Sequence, residues 1–270
     1  MPELPEVETT RRGLQPLIVG EPIESVQVRE SRLRWPVPAR LATLLAGRHF
    51  ETIGRRGKYL LLNMDQGTLL VHLGMSGSLR YLPEPQAPGP HDHIDINFAH
   101  GGCLRFNDPR RFGSFHISSR PLHHRLLRNL GPEPLGPDFT PEYLYACCRH
   151  RRVAIKQHLM NGRIVVGVGN IYANEALHRA GIHPARRAGR IAARRLSRLV
   201  DAVREVLLEA LEQGGTTLRD FVGGDGRPGN FKLSLQVYGR LGLPCECCGE
   251  TIRLRVLGQR ASYYCARCQR

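Results

Sequence analysis

The chain has 270 residues, with 39 lysines and arginines against 24 acids, for a formal charge of +15. That length allows two or three domains, and the charge favours a polyanionic partner, nucleic acid ahead of an anionic membrane. No apolar stretch approaches bilayer-spanning length, which excludes a transmembrane helix.

The opening MPELPEVETT has neither the basic start nor the apolar run of a secretory leader. Pro5 suits the first turn of a helix that continues through Val7, Thr10 and Leu14. Up to residue 130 the pattern is mostly β. KYLLLNM (58–64) and TLLVHLG (68–74) flank the turn signal Asp65-Gln66-Gly67, and HIDINFA (93–99) and CLRFND (103–108) flank His100-Gly101-Gly102. Several short strands of this kind predict a sandwich or barrel-like domain. Tyr81 to Pro90, with four prolines, reads as a loop.

LGPEPLGPDFTP (130–141) is a Pro/Gly-rich break and the first expected domain boundary. Helical periodicity follows. Over 192–213, Leu196, Leu199, Val200, Val203, Val206, Leu207, Ala210 and Leu211 fall on one stripe, which Gly214-Gly215 ends. This stripe reads as core packing. GGDGRPGN (223–230) is an expected mobile loop.

Five of the eight cysteines crowd the C-terminus. Without a secretory signal, a disulfide framework is not expected, and a reducing cytoplasm is. Cys245-x2-Cys248, sixteen residues, then Cys265-x2-Cys268 is a zinc signature: two knuckles on a β-hairpin close a tetrahedral structural site. Four thiolates leave no position for water, so this one Zn2+ is structural, and Cys247 is left unliganded. So small a module would draw much of its folding energy from the metal. Gly258-Gln259-Arg260 lies at the expected hairpin tip, where an arginine can reach a phosphate bidentately.

PELPEVE, HLGMSG (72–77), NDPRRFG (107–113), VVGVGNIYANEAL (165–177), QVYGR (236–240) and the terminal CARCQR occur in that order. Across essentially the whole chain this resembles bacterial formamidopyrimidine-DNA glycosylase, of the Fpg/Nei family, which removes 8-oxoguanine and ring-opened purines. The resemblance implies an α+β multidomain fold. An N-terminal β-sandwich with its N-terminal helix would cover 1–130. A helix–two-turns–helix DNA-binding domain would cover 131–235, with a lesion-capping loop at 217–231, and a zinc-finger hairpin 236–270.

The resemblance also implies a chemistry. After loss of Met1, Pro2 becomes a secondary α-amine, whose class titrates near 7.7–8.0, well below lysine. Pro2 would attack C1′ of the damaged nucleotide and form an iminium, and β,δ-elimination would follow. Glu3 would be the adjacent acid/base. Lys58 would contact the phosphate beside the lesion and aid proton transfer. Met75, Arg110 and Phe112 would fill the gap left by a flipped base, as flexible filler, reader of the orphaned base and wedge. His72, Asn170, Tyr238 and Arg260 would hold phosphates, Arg260 counting also among the catalytic residues with Pro2, Glu3 and Lys58, and Lys156 would hold the damaged base or nearby phosphates. Glu175 and Ser76 would lie near the lesion pocket.

Taken alone, Pro2-Glu3 is a solvated terminus, Lys58 and Lys156 are exposed lysines, His72 and Tyr238 are strand residues, and Arg110 is a surface charge. The chain departs from the family pattern at Asn161, often aspartate, and at the additional Cys247. The expected partner is double-stranded DNA carrying damaged bases, with no membrane and no obligate oligomer. Two alternatives stand beside this reading: an endonuclease VIII-type enzyme for oxidised pyrimidines, and a catalytically silent, zinc-dependent DNA-binding protein. PELPEVE and Arg110-Arg111-Phe112 weigh against the first, and Pro2, Glu3 and Lys58 together against the second.

Overall fold

The computed structural model describes residues 2–214 and 235–270. Two compact units divide near Arg128 and Asn129, and the C-terminal cysteine hairpin belongs to the second. The expected loop at 217–231 lies outside the described residues.

The first unit begins with helix α1 (Leu4–Ile18). Pro5 sits in its first turn, where a missing N–H costs nothing. Strands β1 (Ile23–Val28) and β2 (Thr52–Arg56) flank the short helix α2 (Leu41–Leu45). Then come β3 (Tyr59–Met64), β4 (Gly67–His72), β5 (Ser78–Leu82), β6 (Asp92–Phe98), β7 (Cys103–Asn107) and β8 (Ser114–Ser118). They form two antiparallel four-stranded sheets, ordered β1-β6-β7-β5 and β2-β3-β4-β8. Leu60, Leu62, Leu69 and Val71 from one sheet and Ile94, Ile96, Leu104 and Phe106 from the other share one core with Val7 and Leu14 of α1. The Pro-rich loop starts later than expected, because Tyr81 and Leu82 still pair with Leu104 and Cys103.

The second unit contains α3 (Pro141–Cys148), α4 (Ile155–Leu159), α5 (Asn170–Arg179), α6 (Ala193–Glu212) and the hairpin β9 (Ile252–Leu257) and β10 (Arg260–Cys265). Thr140 caps α3 by accepting from Tyr143 N–H. The apolar stripe of α6 is buried as expected, with Leu196, Leu199, Val203 and Leu207 inside.

The hairpin has a small core of its own, centred on Val237, Cys245, Ile252 and Cys265. It also leans on α5 and the turn that follows it. Gln269 donates to Ile182 O (2.9 Å), Arg270 N–H to Gly181 O, and Asn174 Oδ1 accepts from Tyr263 N–H (2.8 Å).

Candidate active site and nucleic-acid interface

In the first unit, Glu3 is the N-cap of α1 and is 2% exposed. It forms a capping box. Its carboxylate accepts from Glu6 N–H, and Glu6 Oε2 accepts from Glu3 N–H at 2.8 Å. Pro2, also buried, is therefore the residue just before a doubly fixed helix start. The terminus is not the solvated tail that its sequence alone suggests.

Lys58 follows Gly57 in the two-residue turn between β2 and β3, where Gly57 has φ +56°. Arg55 fixes this turn by donating to Gly57 O (2.9 Å) and to Glu8 of α1 (3.2 Å). Burial alone would raise the pKa of Glu8. Hydrogen bonds from Arg11 and Arg12, with the Arg55 charge, outweigh it and hold the carboxylate below its usual range.

His72 ends β4. Its ring lies 4.7 Å from that of Tyr59, and its Nδ1 accepts from Gly74 N–H at 2.9 Å. Burial, then the charges of Lys58 and Arg34, push its pKa down to about 4. It is a neutral ring at pH 7, with Nε2 left as its N–H donor.

Met75 and Ser76 follow in the β4–β5 loop, and Arg110, Arg111 and Phe112 lie in the β7–β8 loop. Phe112 is 44% exposed. A cleft of about 540 Å3 is lined by His72, Met75, Phe112 and Arg34 among others. Gly74, at φ +68°, lets the two loops touch: a Cβ there would lie 2.5 Å from Phe112 C and Gly113 N.

The brace between the loops is Asp108, which is fully buried. Its Oδ2 accepts from Gly113 N–H (2.7 Å) and its Oδ1 from Ser76 Oγ (2.8 Å). Arg110 joins by donating Nε–H to Ser76 Oγ (3.3 Å) and Nη2–H to Met75 O (3.1 Å). Ser76, expected near a lesion pocket, has its hydroxyl engaged in this brace. Nothing in the linear sequence marks Asp108 beyond an Asp-Pro turn signal within NDPRRFG.

In the second unit, Asn170 is the first residue of α5, after the N-cap Gly169. Its Oδ1 is buried and has no hydrogen-bond partner among the described residues. The backbone N–H groups of a helix start are a chemistry suited to an anion. Arg260 is exposed at the start of β10, next to a turn in which Gly258 and Gln259 both have positive φ, the geometry of a tight hairpin. Tyr238 meets Tyr263 edge-to-face, with ring centroids 5.2 Å apart.

Two expected ligand contacts are occupied from within. Lys156 is 1% exposed, and its Nζ donates to Ala261 O (2.6 Å) and Ser262 Oγ (2.8 Å). It is neither an exposed helix lysine nor displayed to solvent, and it fastens β10 to α4. Glu175 accepts from the N–H groups of Gln236, Val237 and Tyr238 at 2.8, 3.1 and 2.8 Å. Burial raises its pKa, against the lowering pull of those backbone donors. It orders the segment that carries Tyr238.

The sulfurs of Cys245, Cys248, Cys265 and Cys268 all lie within 4.8 Å of one another. The Cys248–Cys265 and Cys245–Cys268 pairs are 3.4 and 3.9 Å apart. Zn–S bonds of about 2.3 Å would set tetrahedral sulfurs about 3.8 Å apart, so the cage fits one Zn2+. His178 Nε2 lies 3.6 Å from Cys245 Sγ, a contact with no warning in the sequence spacing. Cys247 is exposed and stands outside the set of four.

A β-sandwich with apolar residues on Gly-rich loops, a helical unit and a four-cysteine cage that fits Zn2+ are together the features of a zinc-binding DNA-binding protein. Family models match in the same order: the formamidopyrimidine-DNA glycosylase N-terminal domain over 1–115, its H2TH domain over 130–222, and the zinc finger found in FPG and IleRS over 242–270. The chain belongs to the formamidopyrimidine-DNA glycosylase family. It is 58% identical to the formamidopyrimidine-DNA glycosylase of Nitrosococcus oceani, and 56% identical to that of Syntrophotalea carbinolica, with both chains covered in full in each case. Among solved structures it is similar to the Lactococcus lactis Fpg in complex with DNA containing an abasic site (TM-score 0.92, 34% identity, 99% of each chain). It is also similar to the MutM (Fpg) protein from Thermus thermophilus (0.88, 40% identity, 99% of this chain and 98% of that one).

Proposed function

We propose that this chain is a base-excision repair enzyme, a bifunctional DNA glycosylase and abasic-site lyase acting on oxidised purines such as 8-oxoguanine and formamidopyrimidines. The observation that carries the reading is the buried Pro2-Glu3 pair, fixed at the cap of α1, in a chain that also braces Met75, Arg110 and Phe112 on facing loops. The family membership and the DNA-bound relatives support the same reading.

Once Met1 is removed, the Pro2 nitrogen bonds to C1′ as the N-glycosidic bond breaks, and the base leaves with the bonding pair and takes up a proton. Glu3 supplies and retrieves protons at the opening sugar. The resulting iminium draws electrons from the C2′–H bond. β-elimination then expels the 3′ phosphate and δ-elimination the 5′ phosphate. Lys58 and the neutral His72 hold backbone phosphate in the first unit, and Asn170, Tyr238 and Arg260 do so in the second. Met75 and Phe112 fill the space of the extruded nucleotide, while Arg110 faces its former partner. Zinc supplies folding energy to the hairpin when bound, and takes no part in the chemistry.

The test is borohydride trapping on a duplex with 8-oxoguanine opposite cytosine, followed by peptide mass spectrometry. A covalent adduct on Pro2, lost in protein that keeps Met1, is the expected result. An adduct on a lysine would keep the glycosylase and remove Pro2 as nucleophile. Binding without any adduct would leave a silent DNA-binding protein.

A further inference from the structure

The positive charge is unevenly distributed. Residues 143–200 contain twelve lysines and arginines and one acid, so +11 of the chain's +15 resides there. The single acid, Glu175, is spent on backbone amides.

The fold gathers these charges instead of dispersing them. Segment 149–155 runs alongside 184–190 through Gly189 N–H to Arg151 O (2.9 Å), Ala188 N–H to Val153 O (2.9 Å) and Ile155 N–H to Arg186 O (2.8 Å). Gly189 permits the approach, since a Cβ there would lie 2.9 Å from Arg151 N. Arg149, Arg151 and Arg152 are thereby set beside Arg186, Arg187 and Arg190. The first turns of α6 add Arg194 and Arg198, and all eight are exposed. Arg179, by contrast, is ion-paired with Glu205 and Glu209.

Between these segments lies a cavity of about 640 Å3, lined by Tyr145, Arg149, His150, Gly189 and Arg190. A second cavity of about 360 Å3 shares Tyr145 and Ala193 with it and adds Arg194, Ser197 and, as its one acid, Glu142. None of these lining residues belongs to the candidate site above. Holding like charges together opposes folding. Among the described residues these arginines have no acidic partners to offset that cost, whereas a phosphate chain would offset it.

We propose that this arginine groove, between the end of α3 and the start of α6, is a second contact for the phosphate backbone of duplex DNA. The inference rests on the DNA-repair reading for its class of partner, but not on the catalytic roles of Pro2 or Glu3. Such a contact carries no sequence information. It would hold undamaged DNA during search.

The experiment uses the full zinc-loaded chain and the triple variant Arg149→Ala/Arg190→Ala/Arg194→Ala. Affinity for a long undamaged duplex is measured across about 50 to 200 mM salt, where each phosphate contact contributes about 0.9 to the log–log slope. The slope is expected to fall by about 2–3, with weaker binding at every salt concentration. Single-turnover excision from a short lesion duplex at saturating enzyme should be unchanged. The corresponding triple lysine variant should restore the slope. Should the triple alanine variant fold poorly, each single alanine variant is expected to lose about 0.9.

A slope equal to the parent's, with excision intact, would overturn the proposal. So would an unchanged DNA slope with lost retention on anionic vesicles, which would assign the groove to a membrane surface. A parent that excises nothing, but whose salt slope still drops in the variant, would refute the enzymatic reading and leave the groove standing.

Discussion

Replacing Asp108 tests whether the wedge loops are held by one buried carboxylate. Asp108→Ala removes both acceptors and strands the buried N–H of Gly113, while Ser76 at the half-exposed rim can turn to water. A hydrogen bond to a charged group is worth about 1.5–3 kcal/mol, and an abandoned buried donor costs about 1–3 kcal/mol. With the Ser76 bond lost as well, the expected destabilisation is about 3 kcal/mol. Asp108→Asn keeps one oxygen for Gly113 and offers an N–H to Ser76, whose hydroxyl must then accept it alongside Arg110. Its expected cost is about 1 kcal/mol. Urea unfolding at unchanged m-value measures both. Displacing Met75, Arg110 and Phe112 by about 1 Å should also slow single-turnover excision by about 100-fold in the alanine variant. An alanine variant as stable as the parent would refute the brace, and so would an asparagine variant as damaged as the alanine one.

Further outcomes are expected. Removing zinc with a chelator should abolish amide-exchange protection across Ile252–Cys265, since the hairpin core is small; persistent protection in metal-free protein would show that packing alone suffices. Lys156→Ala should destabilise the second unit by about 2–4 kcal/mol in thermal unfolding, because Ala261 O and Ser262 Oγ lose a charged donor. His72 and His116 both have pKa values lowered to about 4 by burial and neighbouring charge. Their contribution is complete above the unfolded value near 6.5 and is lost as pH falls towards 4. Unfolding midpoints should therefore drop over that window, and His72→Gln should flatten the decline.

The sequence revealed local order and concealed long-range partnerships. The β3–β4 and β6–β7 hairpins were legible because alternation and turn residues act within a few positions. The zinc cysteines were legible because metal geometry dictates their spacing, and α6 because one face must be apolar. The burial of Lys156 was not legible, since nothing near position 156 announces that Ala261 and Ser262 will surround its ammonium group. Glu175 likewise faces amides 61 to 63 residues away. Asp108 looked like an ordinary turn residue, because its partners Ser76 and Gly113 come from the two loops it joins. The Pro2-Glu3 terminus looked frayed because a capping box is visible only once Glu6 is known to be buried beside it.

Helix α5 is ten residues long and carries four separate duties. Asn170 starts the helix with a buried Oδ1, Asn174 grips β10, Glu175 orders the approach to Tyr238, and His178 touches Cys245 of the four-cysteine set. Three of the four lie one helical turn apart on a single stripe, so GNIYANE encodes scaffolding as much as recognition. A genome search keyed to those letters retrieves chains that assemble this framework, whatever reaction they perform. A descendant that lost Pro2 and Glu3 would pass such a search unnoticed, its framework intact.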